Sequence, residues 1–252
     1  MENIKLEGIN NIRDIGTTVV KEGRIKKHKI LRSPCLNELT QKDVSILVNK
    51  YKLCTIIDLR TDREAQDTPD VDIFGVNYLH IPIFSKRAPG ITHEKNEDNI
   101  EHVVDFSLMY AEMLQGECLE NVAKIIKTIM SFNREEYAVL IHCTEGKDRT
   151  GIIIAILLLI LGADKKTVIE DYLYTNKVNK KRAYKYYLKT LFLDSDFKRA
   201  EKIKDFYLAK TEYIEAVFNV IENEWGGVDN FIFNGLKITN NEIEEFKDKL
   251  LC

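Results

Sequence analysis

A cysteine and an arginine separated by five residues, placed between a short apolar run and a longer one, constrain this chain more than any other feature. Residues 138–141 have the length and β-branched content of a buried strand, and residues 152–161 read as a buried helix that begins near Arg149. The loop that connects them therefore opens a helix. Backbone N–H groups at a helix N-terminus have no intrahelical partner and carry the positive end of the dipole, so such a loop binds an anion, above all phosphate.

The residue types in this loop indicate chemistry as well as binding. Cys143 lies where the N–H groups and the Arg149 guanidinium favour the thiolate, which is the nucleophilic form of cysteine. Arg149 can hold two phosphate oxygens as a bidentate fork and neutralise charge in the transition state. We therefore predict in-line attack by Cys143, a phosphocysteine intermediate and its hydrolysis by water. Thr150 is expected to hydrogen-bond the departing thiolate, and Gly146 lets the backbone curl.

Other kinds of site fit the same residues less well. Cysteines are often inert core residues, and a histidine–cysteine pair can ligate a metal. No second cysteine or histidine lies at metal-ligand spacing from His142 and Cys143, so the sequence predicts no metal and no cofactor. The nucleotide-binding pattern G-x4-G-K-[ST] does not occur around Gly146 and Lys147.

The ten residues from His142 to Gly151 closely resemble the active-site loop of cysteine-dependent protein tyrosine phosphatases. The Gly-Lys-Asp-Arg variant is similar to the bacterial and fungal tyrosine/serine phosphatase family, whose members can also act on phosphoinositides. The resemblance extends over nearly the whole chain and includes residues 11–16, 57–60, 171–176 and the tail from 218 to 229. It implies a hydrolase acting on phosphotyrosine, with phosphoserine, phosphothreonine and phosphoinositides as further options.

The general acid is the point where the chain departs from many tyrosine phosphatases. Those enzymes carry a catalytic aspartate in the loop that follows a strand. The corresponding loop in this chain, residues 81–86, contains no aspartate. The resemblance instead implies Asp148, inside the active-site loop, and leaves Asp98 and Asp105 as alternatives. The predicted catalytic residues are thus Cys143, Asp148 and Arg149. The predicted substrate-binding residues are Thr144, Glu145, Gly146, Lys147 and Thr150.

Charge and composition limit the partners. The net charge of −3 argues against a nucleic-acid binder, and a phosphorylated protein or a phosphoinositide is the expected partner. Lys147 adds a second cation that suits a polyanionic substrate; the alternative is a solvated or carboxylate-paired lysine. Five cysteines without a C-x-x-C pair suit a reducing compartment. The N-terminus lacks a signal-peptide pattern, and residues 152–161 are too short to span a membrane, so we expect a cytoplasmic protein unless it is exported without a leader.

Strand and helix patterns alternate through the centre of the chain. Strands are predicted at 54–59, 76–83 and 138–141, and amphipathic helices at 100–115 and 119–130. Together they predict a single α/β domain over residues 1–252, with a mainly parallel central sheet flanked by helices and a helical C-terminal region. Near the N-terminus, residues 17–20 and 29–32 are predicted to pair as a hairpin around Glu22-Gly23.

Three features admit more than one interpretation. Residues 179–210 are rich in tyrosine, phenylalanine, lysine and arginine, and form either a helical lid that recognises an acidic phosphorylated surface or lipid headgroup, or a helix pair packed on the core, which is favoured. Asp58 and Arg60, at a strand end, are read as an internal ion pair rather than as substrate ligands. Cys54 is a candidate for a reversible disulfide with Cys143.

Two other classes of function use a similar loop. A phosphate-recognition module without catalysis would not need both Cys143 and Arg149, which are intact here. A thiol redox or sulfur-transfer enzyme, of the arsenate-reductase or rhodanese kind, would need a partner cysteine or a sulfur donor. The sequence therefore favours the phosphatase.

Overall fold

The computed structural model describes residues 2–85, 105–132 and 137–252, which form eight strands and eleven α-helices. The strands are β1 (Glu2–Asn3), β2 (Arg13–Asp14), β3 (Val19–Val20), β4 (Gly23–Arg24), β5 (Ile30–Ser33), β6 (Leu53–Asp58), β7 (Asn77–His80) and β8 (Ala138–His142). The helices are α1 (Gln41–Ser45), α2 (Asp62–Asp67), α3 (Phe106–Glu112), α4 (Gly116–Ser131), α5 (Asp148–Ile160), α6 (Lys165–Tyr174), α7 (Asn176–Asp194), α8 (Phe197–Tyr207), α9 (Thr211–Trp225), α10 (Val228–Asn230) and α11 (Asn240–Leu250). Two π-helical turns cover Ile46–Lys50 and Phe231–Gly235.

A six-stranded sheet in the order β1-β2-β5-β8-β6-β7 forms the centre of the described structure. The four strands from β5 to β7 run parallel, and β1 and β2 add an antiparallel edge. The predicted mainly parallel sheet flanked by helices is confirmed. Because β8 lies between β5 and β6, the loop that follows it leaves the sheet at its centre, among the carboxyl ends of parallel strands, where α/β folds place their ligands.

Side-chain alternation along the central strands builds a core on each face of the sheet. Ile57 and Ile141 contribute to the larger cluster, whereas their neighbours Ile56 and Leu140 contribute to the other one. Helix α5 is apolar on all sides and almost entirely buried in the larger cluster, as expected of a helix that follows a central strand. The loop from Cys143 to Lys147 is therefore held between two buried elements.

The predicted N-terminal hairpin is wrong in its pairing. Val19–Val20 pairs with Gly23–Arg24, whereas Ile30–Ser33 lies beside β8 in the central sheet. All four residues of β5 are buried, which suits a central parallel strand and not one arm of a surface hairpin. Gly23, with a φ of 155°, closes the turn after Val20 and leaves residues 30–33 available to the sheet.

Capping residues start the helices where the sequence indicates. Thr40 with Asp43 and Thr239 with Glu242 form capping boxes, and the Asp164 side chain caps α6. The predicted helix over 100–115 is described only from residue 105 onwards. No helix of the described residues is both long enough and apolar enough to cross a membrane.

Residues 179–207 belong to a pair of helices, α7 and α8, that pack against each other, and residues 208–210 follow α8. The connection between them turns at Ser195, which has a left-handed φ of 51°. We call residues 176–207 the helical hairpin. Its base is fixed next to residue 209, because the Asn176 side chain accepts from the Ala209 N–H and donates to the Ala209 carbonyl.

Candidate active site

Cys143 lies directly after β8, and the loop from Cys143 to Lys147 leads into α5. Gly146 occupies the tightest point of this loop, with a φ of 64°. A Cβ at that position would lie only 2.4 Å from the carbonyl oxygen of Ser33, so no other residue fits without moving the backbone of β5. The predicted role of Gly146 in curling the loop thus has a steric basis in the neighbouring strand.

The loop carbonyls point outwards, towards the scaffold. The donors are the Cys35 N–H to the Thr144 oxygen at 3.2 Å, the Asn11 side chain to the Glu145 oxygen at 3.1 Å and the Arg32 guanidinium to the Gly146 oxygen at 2.8 Å. In a trans peptide the N–H points opposite to the C=O. The three amides that belong to these peptides are therefore directed away from the scaffold, as an anion-binding loop requires.

Two buried arginines and an aspartate hold the scaffold behind the loop. Arg32 donates to the Asp171 carboxylate at 2.5 Å, and Arg13 donates to the Asp171 carbonyl at 2.9 Å and to the Asn11 side chain at 3.0 Å. Arg13, Arg32 and Asp171 are all at most 2% exposed. The segments 11–16 and 171–176, which resemble the family in sequence, thus support the loop.

Arg149 is held by a carboxylate that the sequence did not single out. Its Nη1 and Nη2 donate to the two oxygens of Glu64 at 2.6 and 2.8 Å, and Nη2 also donates to the Thr144 hydroxyl at 3.1 Å. Burial alone would lower the pKa of Arg149, but Glu64 and the charge of Cys143 outweigh that effect and raise it. The guanidinium is therefore fixed, fully charged and beside the cysteine. Its buried Nε has no hydrogen-bond partner among the described residues.

Glu64 is itself held in place from several sides. Its oxygens accept from the Thr144 hydroxyl at 2.7 Å and from the backbone and hydroxyl of Thr61 at 2.9 and 3.0 Å. Burial would raise the pKa of Glu64, but the hydrogen bonds and charge of Arg149 outweigh burial and lower it to about 2. The Thr61–Glu64 spacing is that of a capping box, a local signal that explains α2 and gives no hint of the contact with Arg149.

Glu64→Gln is expected to destabilise the protein, because the buried guanidinium of Arg149 loses its counter-charge. Breaking a buried ion pair from one side costs about 3–5 kcal/mol, and the hydrogen bond that glutamine retains places this variant at the lower end. The pKa of Glu64 is lowered from 4.5 to about 2, so its stabilisation is complete above about pH 4.5 and is lost as the pH falls through about 2. Urea unfolding of both proteins across this pH range measures the difference.

The difference between wild type and Glu64→Gln should be largest near neutral pH and should shrink towards pH 2. Glu145→Gln is the matched control, because Glu145 pairs with Arg182, whose side chain is 46% exposed, and such a pair contributes about 1 kcal/mol or less. Equal losses in the two variants, or a pH-independent difference, would contradict the role assigned to Glu64.

Asp148, the first residue of α5, faces a pair of buried tyrosines. The Tyr110 hydroxyl donates to Asp148 Oδ1 at 2.6 Å and lies 2.7 Å from the Tyr172 hydroxyl. Burial and the charge of Asp148 both raise the pKa of Tyr110, so this phenol remains a donor. The Asp148 carboxylate keeps a side-chain exposure of 15%, in a loop whose other side chains are more deeply buried at Lys147 and Arg149.

The two alternative acids differ from Asp148 in their placement. Asp105 is the N-cap of α3, where its Oδ1 accepts from the N–H groups of Ser107 and Leu108 at 2.9 and 3.2 Å. This contact gives Asp105 a structural role. Asp98 lies outside the described residues.

Lys147 binds protein groups in this structure, so its predicted contact with substrate stays a prediction. The side chain is buried, and its ammonium donates to the carbonyls of Phe206 and Leu208 at 2.5 and 3.2 Å, at the end of the helical hairpin. It also lies 3.5 Å from Asp148 Oδ1 and over the ring of Phe106. The ammonium is therefore occupied by protein groups in this conformation. The physical reason is the approach of α8, which the sequence pattern could not place.

Two further residues predicted to bind substrate, Glu145 and Thr150, have different surroundings in the structure. The Glu145 carboxylate accepts from Arg182 of α7 at 2.9 Å, which joins the loop to the helical hairpin. The Thr150 hydroxyl is buried in the first turn of α5 and has no hydrogen-bond partner among the described residues. That placement suits the predicted interaction with a thiolate, which stays a prediction.

The predicted ion pair of Asp58 and Arg60 is confirmed and extends to two more residues. Arg60 Nη2 donates to Asp58 at 2.7 Å and to Asp70 at 2.8 Å, and the imidazole of His142 lies 3.1 Å from Asp70. Burial would raise the pKa of Asp58, but His142, Arg60 and Tyr78 outweigh it and hold the pKa well below its ordinary range. Asp58, Asp70 and His142 have ligand atoms within 4.8 Å of one another, yet the guanidinium between the carboxylates disfavours a metal ion.

The predicted disulfide between Cys54 and Cys143 is wrong. Cys54 precedes Asp58 by four residues, and Asp58 pairs with His142. At ~3.3 Å per residue Cys54 lies about 13 Å from the end of β8, whereas a disulfide needs Cα atoms within about 7 Å. Cys35 lies nearer the loop, since its N–H donates to Thr144, but burial raises the pKa of its thiol to about 11 and makes it a poor nucleophile.

A sequence profile of the tyrosine phosphatase family matches residues 4–252. The chain belongs to the tyrosine phosphatase family. The predicted family and enzyme class are thereby confirmed.

Similar proteins carry the same kind of name. The triple specificity protein phosphatase PtpB of Mycobacterium tuberculosis is 25% identical over 198 residues, which cover 68% of this tyrosine phosphatase and 68% of that protein. A putative tyrosine-protein phosphatase of Cupriavidus necator is 24% identical over 250 residues, which cover 94% of this chain and 85% of the other. The core catalytic domain of the PP-IP phosphatase SIW14 from S. cerevisiae aligns with a TM-score of 0.38 and 14% identity over 85% of this chain and 96% of the solved one.

Proposed function

We propose that this chain hydrolyses phosphomonoesters, phosphotyrosine above all, through a phosphocysteine intermediate on Cys143. The observation that carries the proposal is the fixed guanidinium of Arg149, held by Glu64 beside Cys143 in a loop whose carbonyls bind the scaffold. A trigonal bipyramidal phosphorus has three equatorial oxygens that need donors in fixed positions, and inward amides with a guanidinium supply them.

The proposed reaction has two steps. The Cys143 thiolate attacks phosphorus in line, the bond from phosphorus to the leaving oxygen breaks, and Asp148 donates its proton to that oxygen. A water molecule then attacks the phosphocysteine, Asp148 takes a proton from this water, and the sulfur–phosphorus bond breaks to release phosphate and the thiolate. In the proposed reaction the Thr150 hydroxyl donates a hydrogen bond to this thiolate.

We propose a substrate range wider than phosphotyrosine, with phosphoserine, phosphothreonine and phosphoinositides as further substrates. Its support is the resemblance of the active-site loop and the name of the similar mycobacterial protein, a triple specificity phosphatase. We also place the enzyme in the cytoplasm, a proposal supported by five cysteines that all remain free in the structure.

Turnover of p-nitrophenyl phosphate in the presence of EDTA tests the proposed function. A cysteine phosphatase should release phosphate without a metal, and rapid acid quench should trap one phosphate per chain on Cys143. A phosphate-recognition module would bind phosphate without turnover. A thiol redox or sulfur-transfer enzyme would show neither phosphate release nor a phosphorylated cysteine.

We further propose that the helical hairpin acts as a lid on the single phosphatase domain. Within the hairpin, Arg182 donates to Glu145 of the active-site loop, and the Phe206 carbonyl accepts from Lys147; the Leu208 carbonyl, just after the hairpin, also accepts from Lys147. Opening of the hairpin would break both contacts and release the Lys147 ammonium for a second phosphate of a polyanionic substrate. In this proposal Lys147 binds the two carbonyls when the hairpin is closed and binds the substrate when the hairpin is open.

Arg182→Ala is expected to favour the open hairpin, because it removes the ion pair with Glu145. An ion pair at this degree of exposure contributes about 1 kcal/mol or less, so activity on a phosphotyrosyl peptide should rise about two- to fivefold relative to p-nitrophenyl phosphate. Lys204→Ala is the control, because Lys204 pairs with Glu201 within α8 and does not contact the loop. An unchanged ratio of the two activities in Arg182→Ala would argue against a lid.

A further inference from the structure

The outer surface of the helical hairpin carries an unusual number of exposed apolar side chains. Tyr184, Leu188 and Phe192 follow one another at intervals of four residues and therefore line one face of α7. Leu193 and Phe197 lie just beyond them, at the end of α7 and at the start of α8. Their exposed fractions are 45% for Tyr184, 60% for Leu188, 86% for Phe192, 64% for Leu193 and 61% for Phe197. We call these five residues the apolar strip.

The apolar strip is not explained by the packing of the described residues. The inner face of the hairpin buries Ala183, Thr190, Ala200 and Ile203, so the two helices are already packed without it. Soluble proteins expose single apolar residues routinely, but a contiguous group usually marks an interaction site. The strip therefore indicates a partner that accepts apolar side chains.

The charge around the strip indicates what that partner is. Residues 176–207 contain ten lysines and arginines against four acidic residues, a net charge of +6 on a chain whose net charge is −3. Seven of these cations are exposed lysines, at positions 177, 180, 181, 185, 189, 198 and 202. Lys181 and Lys185 lie four residues apart, on the ridge of α7 next to the line from Tyr184 to Leu188. An apolar strip bordered by lysines on a helix is the pattern of a segment that lies in the interface of an anionic membrane.

The acidic residues at the turn do not oppose this interpretation. Asp194 accepts from the Arg199 guanidinium at 2.9 Å, and Asp196 accepts from the Arg199 N–H at 3.0 Å as the N-cap of α8. Both carboxylates are thus compensated by contacts within the hairpin. The lysines along α7 set the sign of the surrounding potential.

We propose that the apolar strip docks the protein on anionic lipid surfaces, with α7 lying in the headgroup region and the lysines next to lipid phosphates. The base of the same hairpin contacts the active-site loop through Arg182, about 15 Å along the helix from Phe192. Docking would bring the loop near the headgroups. Binding to vesicles by this surface does not depend on turnover, so it goes beyond the proposed function and can fail separately from it.

Flotation of the full chain with phosphatidylcholine vesicles, with and without phosphatidylserine, tests the proposal. We expect binding to the anionic vesicles, little binding to the neutral ones, and a decrease in binding as salt is added. Phe192→Asp should weaken binding about tenfold or more, since it removes the most exposed aromatic ring of the strip. Lys181→Gln and Lys185→Gln should each weaken it about fivefold.

Matched variants distinguish binding by the apolar strip from binding by any exposed apolar side chain. Phe74→Asp alters a side chain that is fully exposed outside the hairpin, and it should leave vesicle binding unchanged. In Phe192→Trp the new indole should shift its emission to the blue on anionic vesicles, against the constant background of Trp225. Phe192 and Phe74 are 86% and 100% exposed, and Lys181 and Lys185 are exposed too, so the variants are expected to fold, and circular dichroism verifies this.

Three results would overturn the proposal. The first is the absence of binding to both kinds of vesicle. The second is equal loss of binding in Phe74→Asp and Phe192→Asp. The third is a dimer of the wild type that Phe192→Asp converts to a monomer without any vesicle binding, which would assign the strip to contact between two copies of this chain.

Discussion

Cys143→Ser is expected to abolish turnover of p-nitrophenyl phosphate while oxyanion binding persists. A serine hydroxyl stays protonated at neutral pH, so the variant lacks a nucleophile, and loss of a catalytic nucleophile lowers kcat by a factor on the order of 10⁴–10⁶. The binding groups are unaffected, because the inward amides depend on scaffold contacts to the loop carbonyls and Arg149 depends on Glu64. Calorimetric titration with phosphate measures binding, and steady-state kinetics measures turnover.

Cys54→Ser is the matched control for this experiment. Cys54 lies on β6 at a distance from the loop that excludes a bond to Cys143, so its replacement should leave turnover close to that of the wild type. Appreciable turnover in Cys143→Ser would remove Cys143 as the nucleophile. Loss of phosphate binding together with turnover would show instead that the cysteine shapes the loop.

Asp148→Asn is expected to impair hydrolysis of phosphotyrosine far more than hydrolysis of an activated aryl phosphate. A tyrosine phenoxide is the base of an acid with a pKa of ~10 and needs a proton as the bond to phosphorus breaks, so loss of the general acid should cost about 10²–10⁴ in rate. A fluorinated phenoxide is a weaker base and needs far less help. The variant should also flatten the alkaline limb of the pH–rate profile. Kinetics on the two substrates over a pH series measures both effects.

Two variants separate proton donation from loop geometry. Tyr110→Phe removes the hydrogen bond to Asp148 Oδ1 and keeps the carboxylate, so it should cost much less than Asp148→Asn on phosphotyrosine. Asp105→Asn keeps a good N-cap for α3 and should change neither substrate's rate. Equal losses on both substrates in Asp148→Asn would restrict Asp148 to shaping the loop and would make Asp105 and Asp98 the next acids to test.

Much of the site could be predicted from the sequence because it is encoded locally. The strand, the loop and the helix from residue 138 to 160 follow from one continuous pattern of apolar and small residues, and Cys143 and Arg149 have their spacing fixed by the chain itself. Capping boxes such as Thr40 with Asp43 are formed by residues three apart. The ion pair of Asp58 and Arg60 likewise joins residues only two positions apart in the chain.

Features that join distant segments needed the tertiary structure. Glu64 precedes Arg149 by 85 residues, and nothing in the local pattern of either segment specifies their contact. The burial of Lys147 depends on where α8 ends. The place of β5 in the sheet depends on its pairing with β8, and the distance that excludes a disulfide between Cys54 and Cys143 depends on the register of β6 against β8. Local sequence governs backbone conformation and the face that each element buries, so it determined the loop between β8 and α5. The packing of those faces decides which side chains meet. That packing alone brought Glu64 to Arg149 and the helical hairpin to Lys147.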